Sequence, residues 1–501
     1  MTTRQQVVIQ TALGLVLLAV ISNTRADPDL WGHVLFGRDT VASGHLTIAD
    51  PYSFTSDRSW VNHEWLAECA MFLAFALGGG PGLVIFKMIA VLAMVALVWS
   101  GLNRQGVDPG ARNLLVALTI VGTFPQTNHV RPQLFSIVAF ACLLRLLVTG
   151  RTLWRLAAIP LVFALWVNLH GGWIVGGGVL AVWALATLPS TVTRTEKATL
   201  FASGVVSLLA TLVNPYGWRM WLFLQQTVGF GRAEITDWQP AYRLGVGFIA
   251  LWMSVCAVAI VGAMGQWRSN DRELRRLAVV AMLAVGSFQV SRLLSFFVLA
   301  VVLLLGREIA AAFTSWRAQR RTARRAPGRL ATAVAVFVLV ALIGGAGVTS
   351  ARNLTCVRIG ADQPEPEVVA MAKSRDLRGR LAIWFDWGEY AIWHLAPAMR
   401  VSIDGRRETV YTDPLVDSHL NFYYVPSTQQ DFLAATRPDY IWIRSDLPVV
   451  STLLAGEWRP LFKGPRSVLL ARGTVANELT RSPEPAPQGV AEIGTRCFPG
   501  P

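Results

Sequence analysis

The chain has 501 residues, 53% hydrophobic and only 15% charged. A soluble globular chain is about a quarter charged, so this composition excludes an ordinary soluble enzyme. The formal net charge of +14 would suit a nucleic-acid binder, but the arginines fall in short loops between apolar runs. There the positive-inside rule accounts for them, and nucleic acid is excluded as the main partner.

Length alone suggests roughly three domains of about 150 residues, yet the apolar runs predict one large membrane domain. Runs that span a bilayer, or nearly so, lie at about 6–22, 83–100, 112–126, 132–149, 154–168, 171–189, 198–213, 245–265, 277–289, 293–312 and 330–350. The first could instead be the core of a signal peptide cleaved near Ala26, although an uncleaved span is more natural before so many others. Between Glu64 and Leu77 the chain is apolar but carries His63, Glu64 and Glu68, which predicts a helix lying in the membrane interface.

Eleven spans put alternate loops on opposite sides. With the N-terminus inside, the cytoplasmic loops and their flanks hold seventeen lysines and arginines, from Arg104 to Arg329, against eight arginines on the outer membrane loops. That asymmetry sets the orientation and leaves everything after Ser350 outside. All seven histidines then fall on the outer side: His33, His45, His63, His129, His170, His394 and His419.

The predicted fold class is therefore mainly α: a polytopic membrane helix bundle with a small extracytoplasmic α/β domain. The boundaries are 1–350 for the membrane domain, with a long first outer loop over 23–63, then 351–475 for the soluble domain and 476–501 for a Pro-rich tail. Strands are expected at Leu381–Phe385, Arg400–Asp404, Tyr440–Arg444 and Ser467–Arg472. No repeat of solenoid length is present. Cys69, Cys142 and Cys256 lie in apolar stretches and read as packing residues. Cys356 and Cys497 flank the soluble domain on the oxidising side and could either pair or remain free.

The densest polar constellation is the first outer loop: Arg25-Ala-Asp27-Pro-Asp29-Leu-Trp-Gly-His33, then Asp50-Pro-Tyr-Ser-Phe-Thr55, then Asn62-His63-Glu64-Trp65. Carboxylates at the edge of low dielectric can act as a base or hold a cation. Asp27 and Asp29 could also do no more than cap a helix starting at Leu30. Outer span ends carry Asn128-His129-Val-Arg131 and Asn168-Leu-His170-Gly-Gly172, with Arg292 beyond them. Arginines that interrupt apolar stretches bind anions, with phosphate the obvious candidate, or else snorkel to headgroups. His129 and His170 read equally well as ligands or as packing residues.

These features resemble the GT-C superfamily of integral-membrane glycosyltransferases. The segment from Asp50-Pro-Tyr-Ser-Phe-Thr through Asn62-His63-Glu64-Trp65-Leu-Ala-Glu68 is similar to bacterial mannosyltransferase-like, or glycosyltransferase-39-like, membrane proteins. So is the tail with Asp386-Trp-Gly-Glu-Tyr390 and Ile403-Asp404-Gly-Arg406-Arg407. The resemblance implies a polyprenyl-phosphate-linked sugar donor reaching the site from the membrane lipid, an envelope acceptor, and a site on the outer face of a bacterial inner membrane. It also implies an acidic first-loop residue acting as base or helping to hold a divalent metal, Mg2+ or Mn2+. Asp27 and Asp29 match that position, with Asp50 a further candidate. The Asp-Pro-Asp spacing departs from the Asp-Glu pair common in protein mannosyltransferase-like members and leaves open which aspartate is the base. His33, His63, Glu64, His129, Arg131, His170 and Arg292 complete the expected substrate-binding set. The competing reading is a non-catalytic transporter or scaffold for envelope polysaccharide assembly. A transporter would place ionisable residues near the midplane and often show paired repeats, and this chain does neither.

Overall fold

The structure is a computed structural model that describes residues 14–149, 153–190, 192–227, 235–269, 272–320, 329–480 and 497–500. It is mainly helical and divides into two compact units. One comprises the chain up to Asn23 together with Val84–Thr355; the other comprises Thr24–Leu83 with Cys356–Pro501.

In the first unit each apolar run from 83 onward falls on a helix, and 14–22 is helical. Residues 6–13 of the expected first span lie outside the described residues. Among the described residues, three helical stretches are long and apolar enough to cross a membrane: Trp65–Arg104, Val246–Arg268 and Ser291–Gln319. The helix Leu294–Arg320 forms the core of the unit. Its residues from Leu294 to Leu305 are buried on every side, as expected for a helix that is apolar all round. Around it pack Val246–Arg268, Pro109–Thr127, Leu274–Gln289 and Gln133–Thr149. A short helix, Arg219–Thr227, follows Asn214-Pro-Tyr-Gly-Trp218 and was not expected from the apolar runs.

The interfacial segment and the span that follows it are joined in one helical stretch, Trp65–Arg104. Gly78 and Gly79 break it, Gly79 with φ +56°, and Pro81 restarts it. Glycine tolerates that backbone, and proline is accepted in the first turn of a helix but not in its middle. The sequence Gly-Gly-Gly-Pro therefore encodes the kink directly.

The second unit is built on a five-stranded mixed sheet: β1 Gly379–Ile383, β2 Met399–Val401, β3 Tyr440–Arg444, β4 Trp458–Lys463 and β5 Ser467–Arg472, in the order β2-β1-β3-β5-β4. β1 pairs in parallel with β2 and β3, while β5 runs antiparallel to β3 and β4. Side chains alternate along β3. Ile441 and Ile443 join Phe422, Phe432, Leu453 and Leu470 in one core, whereas Trp442 meets Trp387 and Tyr390. β3 and β5 lie where the sequence places them, β1 starts two residues earlier, and β2 stops at Val401. β4 was not expected because Pro460 interrupts it. It survives as an edge strand with an irregular register between Pro460 and Phe462, where a missing N–H is tolerated.

The 24–83 segment is integral to this unit, a grouping that dividing the sequence at 350 does not anticipate. Residues 52–54 lie along the free edge of β2: Val401 N–H donates to Tyr52 O at 3.1 Å and Phe54 N–H to Val401 O at 3.1 Å. Cys356 and Cys497 are disulfide-bonded, with Cα atoms 5.2 Å apart. Beside the bridge Phe498 N–H donates to Val357 O, and Phe498 packs on Trp31, Phe75 and Trp393. The helix Gly473–Thr480 runs past the expected boundary at 475, and the Pro-rich stretch 481–496 lies outside the described residues.

Candidate active site

In the second unit the polar residues gather at the carboxyl ends of the parallel strands β1 and β2, where loops of open α/β sheets place ligand sites. Beyond β1 come Asp386 and a helix, Gly388–Leu395, whose first turn carries Glu389. Beyond β2 come Asp404, Gly405 and Arg406. The helix Leu30–Ser43 packs against Gly388–Leu395 and delivers Asp29 from its N-terminus.

Asp27 is fully buried, and its Oδ1 accepts the N–H of Asp29 at 3.0 Å. Asp29 occupies the N-cap position but makes no side-chain cap. Its carboxylate lies instead against Gly405, where a Cβ would come within 2.1 Å of Asp29 Oδ1 and 3.1 Å of Glu389 Oε1. Glu389 Oε2 accepts the Gly32 N–H at 3.1 Å. Gly388 is equally constrained, since a Cβ there would meet Ile403 O at 2.3 Å. Gly405 thus leaves room beside the Asp29 and Glu389 carboxyls, while Gly388 lets its helix approach the 403–404 segment. Glu389 is 3% exposed. Burial raises its pKa well above the ordinary glutamate value, and the charges of Asp29 and Asp404 add to the effect. The result is a buried carboxyl whose protonated form is favoured, beside a more accessible aspartate.

Asp50 does something different. Its two oxygens take Arg406 in a bidentate pair at 2.8 and 3.0 Å, and Arg406 also binds Asp404 at 2.8 and 2.7 Å. The guanidinium sits over the rings of Phe36, Tyr52 and Trp60 at 5.0, 5.3 and 4.8 Å. Tyr411 Oη donates to Asp404 at 2.7 Å. Burial opposes ionisation of Asp404, but Arg406 outweighs it and keeps the carboxyl below its ordinary value. Asp50, its side chain fully buried, also accepts the Tyr52 N–H at 3.0 Å. This is the geometry of an anchor for the first loop, not of a base offered to substrate.

His33, His63 and Glu64 come together with Glu68. His33 Nδ1 is 3.1 Å from Glu68 Oε1 and 4.0 Å from Glu64 Oε2, and His63 Nε2 is 3.4 Å from Glu64 Oε1. Asp27 and Asp29 were the expected metal ligands. Among the described residues, His33, Glu64 and Glu68 are the group of histidine, cysteine or carboxylate donors whose atoms converge, and neither aspartate belongs to it.

The first unit holds the remaining four. Arg131 Nη1 pairs with Asp237 Oδ2 at 2.5 Å. Arg292 Nη2 donates to His170 Nε2 at 2.9 Å and lies 5.8 Å from the Trp238 ring. Nε2 therefore faces a donor, and on the other side of the ring Nδ1 accepts the Gly172 N–H at 3.0 Å and lies 2.6 Å from Ser136 Oγ. Trp166 Nε1 donates to the same hydroxyl at 2.7 Å. Burial disfavours charge on Asp237, but Arg131, Arg292 and His129 outweigh it and hold the carboxyl below its ordinary value. His170 is thus tied into a buried polar relay, and Arg131 has a counterion.

Sequence reasoning missed Asp237, Glu389 and the Asp404–Arg406 pair as functional groups. Glu389, Asp404 and Arg406 stood in motifs already noted for the tail, and Glu68 was visible as a charge in an apolar segment. Asp237 gave no signal beyond its place outside the apolar runs.

No protein-family model matches the chain, and no curated protein matches it. Solved structures do match, among them two of one protein. ArnT from Cupriavidus metallidurans in the apo state has a TM-score of 0.55 at 14% identity, covering 94% of this chain and 98% of that one. The same protein bound to undecaprenyl phosphate gives 0.54 at 14% identity over the same shares. The fold of this chain is thus shared with ArnT over nearly its whole length.

Proposed function

We propose that this protein is a glycosyltransferase that moves a sugar from a polyprenyl-phosphate donor to an envelope acceptor on the outer side of a bacterial inner membrane. The observation that carries this reading is the fold held in common, over 94% of the chain, with a protein whose solved structure binds undecaprenyl phosphate. The residues support the chemistry. Asp29 is the base: it takes the proton of an acceptor hydroxyl as that oxygen bonds to the anomeric carbon from the face opposite the leaving group. The bond from the anomeric carbon to the phosphate oxygen breaks, the configuration inverts, and the lipid phosphate departs with the electron pair. Asp27 positions Asp29 through its backbone N–H, and Glu389, holding its own proton, shapes the acceptor side. In the first unit Arg292, with His170 and Arg131 nearby, offers a cationic group of the kind that binds a lipid phosphate. No step passes through a metal at Asp27 and Asp29.

The test is transfer from an undecaprenyl-phosphate-linked sugar by the purified protein in proteoliposomes containing envelope extract as acceptor. Asp29→Asn should lower turnover about 10²–10⁴-fold, the contribution of a general base, with unchanged thermal unfolding. Arg292→Gln should weaken undecaprenyl phosphate binding. Full turnover in Asp29→Asn would remove the assignment.

A further inference from the structure

The geometry points to a divalent transition-metal site, suited to Zn2+ or Mn2+, formed by His33, Glu64 and Glu68. One donor atom from each of the three lies within 4.8 Å of the others. Small side-chain movements would bring them onto one ion at the ~2.0–2.2 Å of metal–nitrogen and metal–oxygen bonds. His33 comes from the helix Leu30–Ser43 and Glu68 from the first turn of Trp65–Arg104, with Glu64 just ahead of it. Four residues apart, Glu64 and Glu68 face the same way.

Two further observations indicate that the site is built. The two helices touch backbone to side at Gly37, one turn after His33, where a Cβ would lie 2.1 Å from the Glu68 carbonyl oxygen. That contact fixes the spacing of the donors independently of any ion pair. In addition, Asn62 Nδ2 donates to Glu68 Oε2 at 2.6 Å and leaves Oε1 turned to His33. A ligating carboxylate oriented by an outer hydrogen bond is the usual construction of a metal site. Glu68 is 3% exposed, and its polar side-chain partners are that neutral amide and the His33 ring. His63, 3.4 Å from Glu64, is placed to serve as a further nitrogen ligand or an outer partner.

The donor set decides the metal. One imidazole with two carboxylates and no sulfur suits Zn2+ or Mn2+, whereas Mg2+ favours all-oxygen octahedra and retains its waters. Such an ion would tie the helix that delivers Asp29 to the helix after the first loop, and its binding can be read without turnover.

The experiment uses the full chain in detergent, stripped with chelator and titrated with ZnCl2, MnCl2 or MgCl2, with metal content measured by mass spectrometry. One Zn2+ or Mn2+ per chain is expected, bound in preference to Mg2+. X-ray absorption should show nitrogen and oxygen ligands and no sulfur. His33→Gln and Glu68→Gln should each weaken binding by at least about tenfold, while Asp29→Asn leaves it unchanged. If either variant fails to fold, the partly exposed Glu64→Gln and the wild-type absorption spectrum decide. Absence of a stoichiometric ion, sulfur in the ligand set, or binding that survives His33→Gln but not Asp29→Asn would overturn the site.

Discussion

Arg406 shows how much one side chain can organise. Its guanidinium is shared between Asp404, two residues away in sequence, and Asp50, which reaches it from the first loop. Three aromatic rings from the 36–60 region enclose it. Taking a charge into such a site is costly, so the pair adds little net stability, yet removing one partner strands the other. Arg406→Met should therefore destabilise the protein by about 3–5 kcal/mol, measured as a shift in chemical unfolding in detergent. Arg406→Lys should also be destabilising, because an ammonium cannot form the two bidentate contacts. The same logic separates Asp50 from Asp29. Asp50→Asn should lower stability, whereas Asp29→Asn should lower turnover at unchanged stability.

Among the elements, the helices Leu30–Ser43 and Gly388–Leu395 bring Asp29 and Glu389 together, and the consequence is a pH dependence. Glu389 has a folded-state pKa above its ordinary 4.5. A carboxyl that binds its proton more tightly when folded contributes stability that is complete below about 4.5 and is lost as the pH rises through the raised value. Thermal stability should fall as the pH is raised above about 4.5. Glu389→Gln, which keeps the acceptor for Gly32 N–H but cannot ionise, should flatten that slope. Parallel melting curves for the two proteins across this range would refute the buried-acid description. Local sequence announced these helices unevenly. Asp-Pro-Asp followed by an apolar segment marks the start at Leu30, and Gly-Gly-Gly-Pro marks the kink at Gly79. β4 escaped because Pro460 argues against a strand wherever its edge position is not known. Glu389 carries no local sign of burial, since its environment comes from Asp29 and Asp404, 360 and 15 residues away.

At the scale of the molecule the disulfide is the sharpest test. Cys356 and Cys497 are 141 residues apart, and closing a loop of that length can contribute roughly 4–5 kcal/mol in the chain-entropy description. A non-reducing peptide map from native membranes should recover the cross-linked pair. The expected sidedness predicts that reporters fused after Arg329 and after Leu354 fall on opposite sides of the membrane. The apolar runs, the arginine bias and the strand pattern of β3 and β5 were all legible in the chain, because length, hydrophobicity and side-chain period act within a few turns of backbone. Tertiary structure alone decided which first-loop carboxylate faces Glu389 and which anchors Arg406. It also decided that residues 52–54 run along the edge of β2, and that His33 meets Glu68 across Gly37. Those outcomes depend on packing between segments tens to hundreds of residues apart, and no local periodicity encodes a partner at that distance.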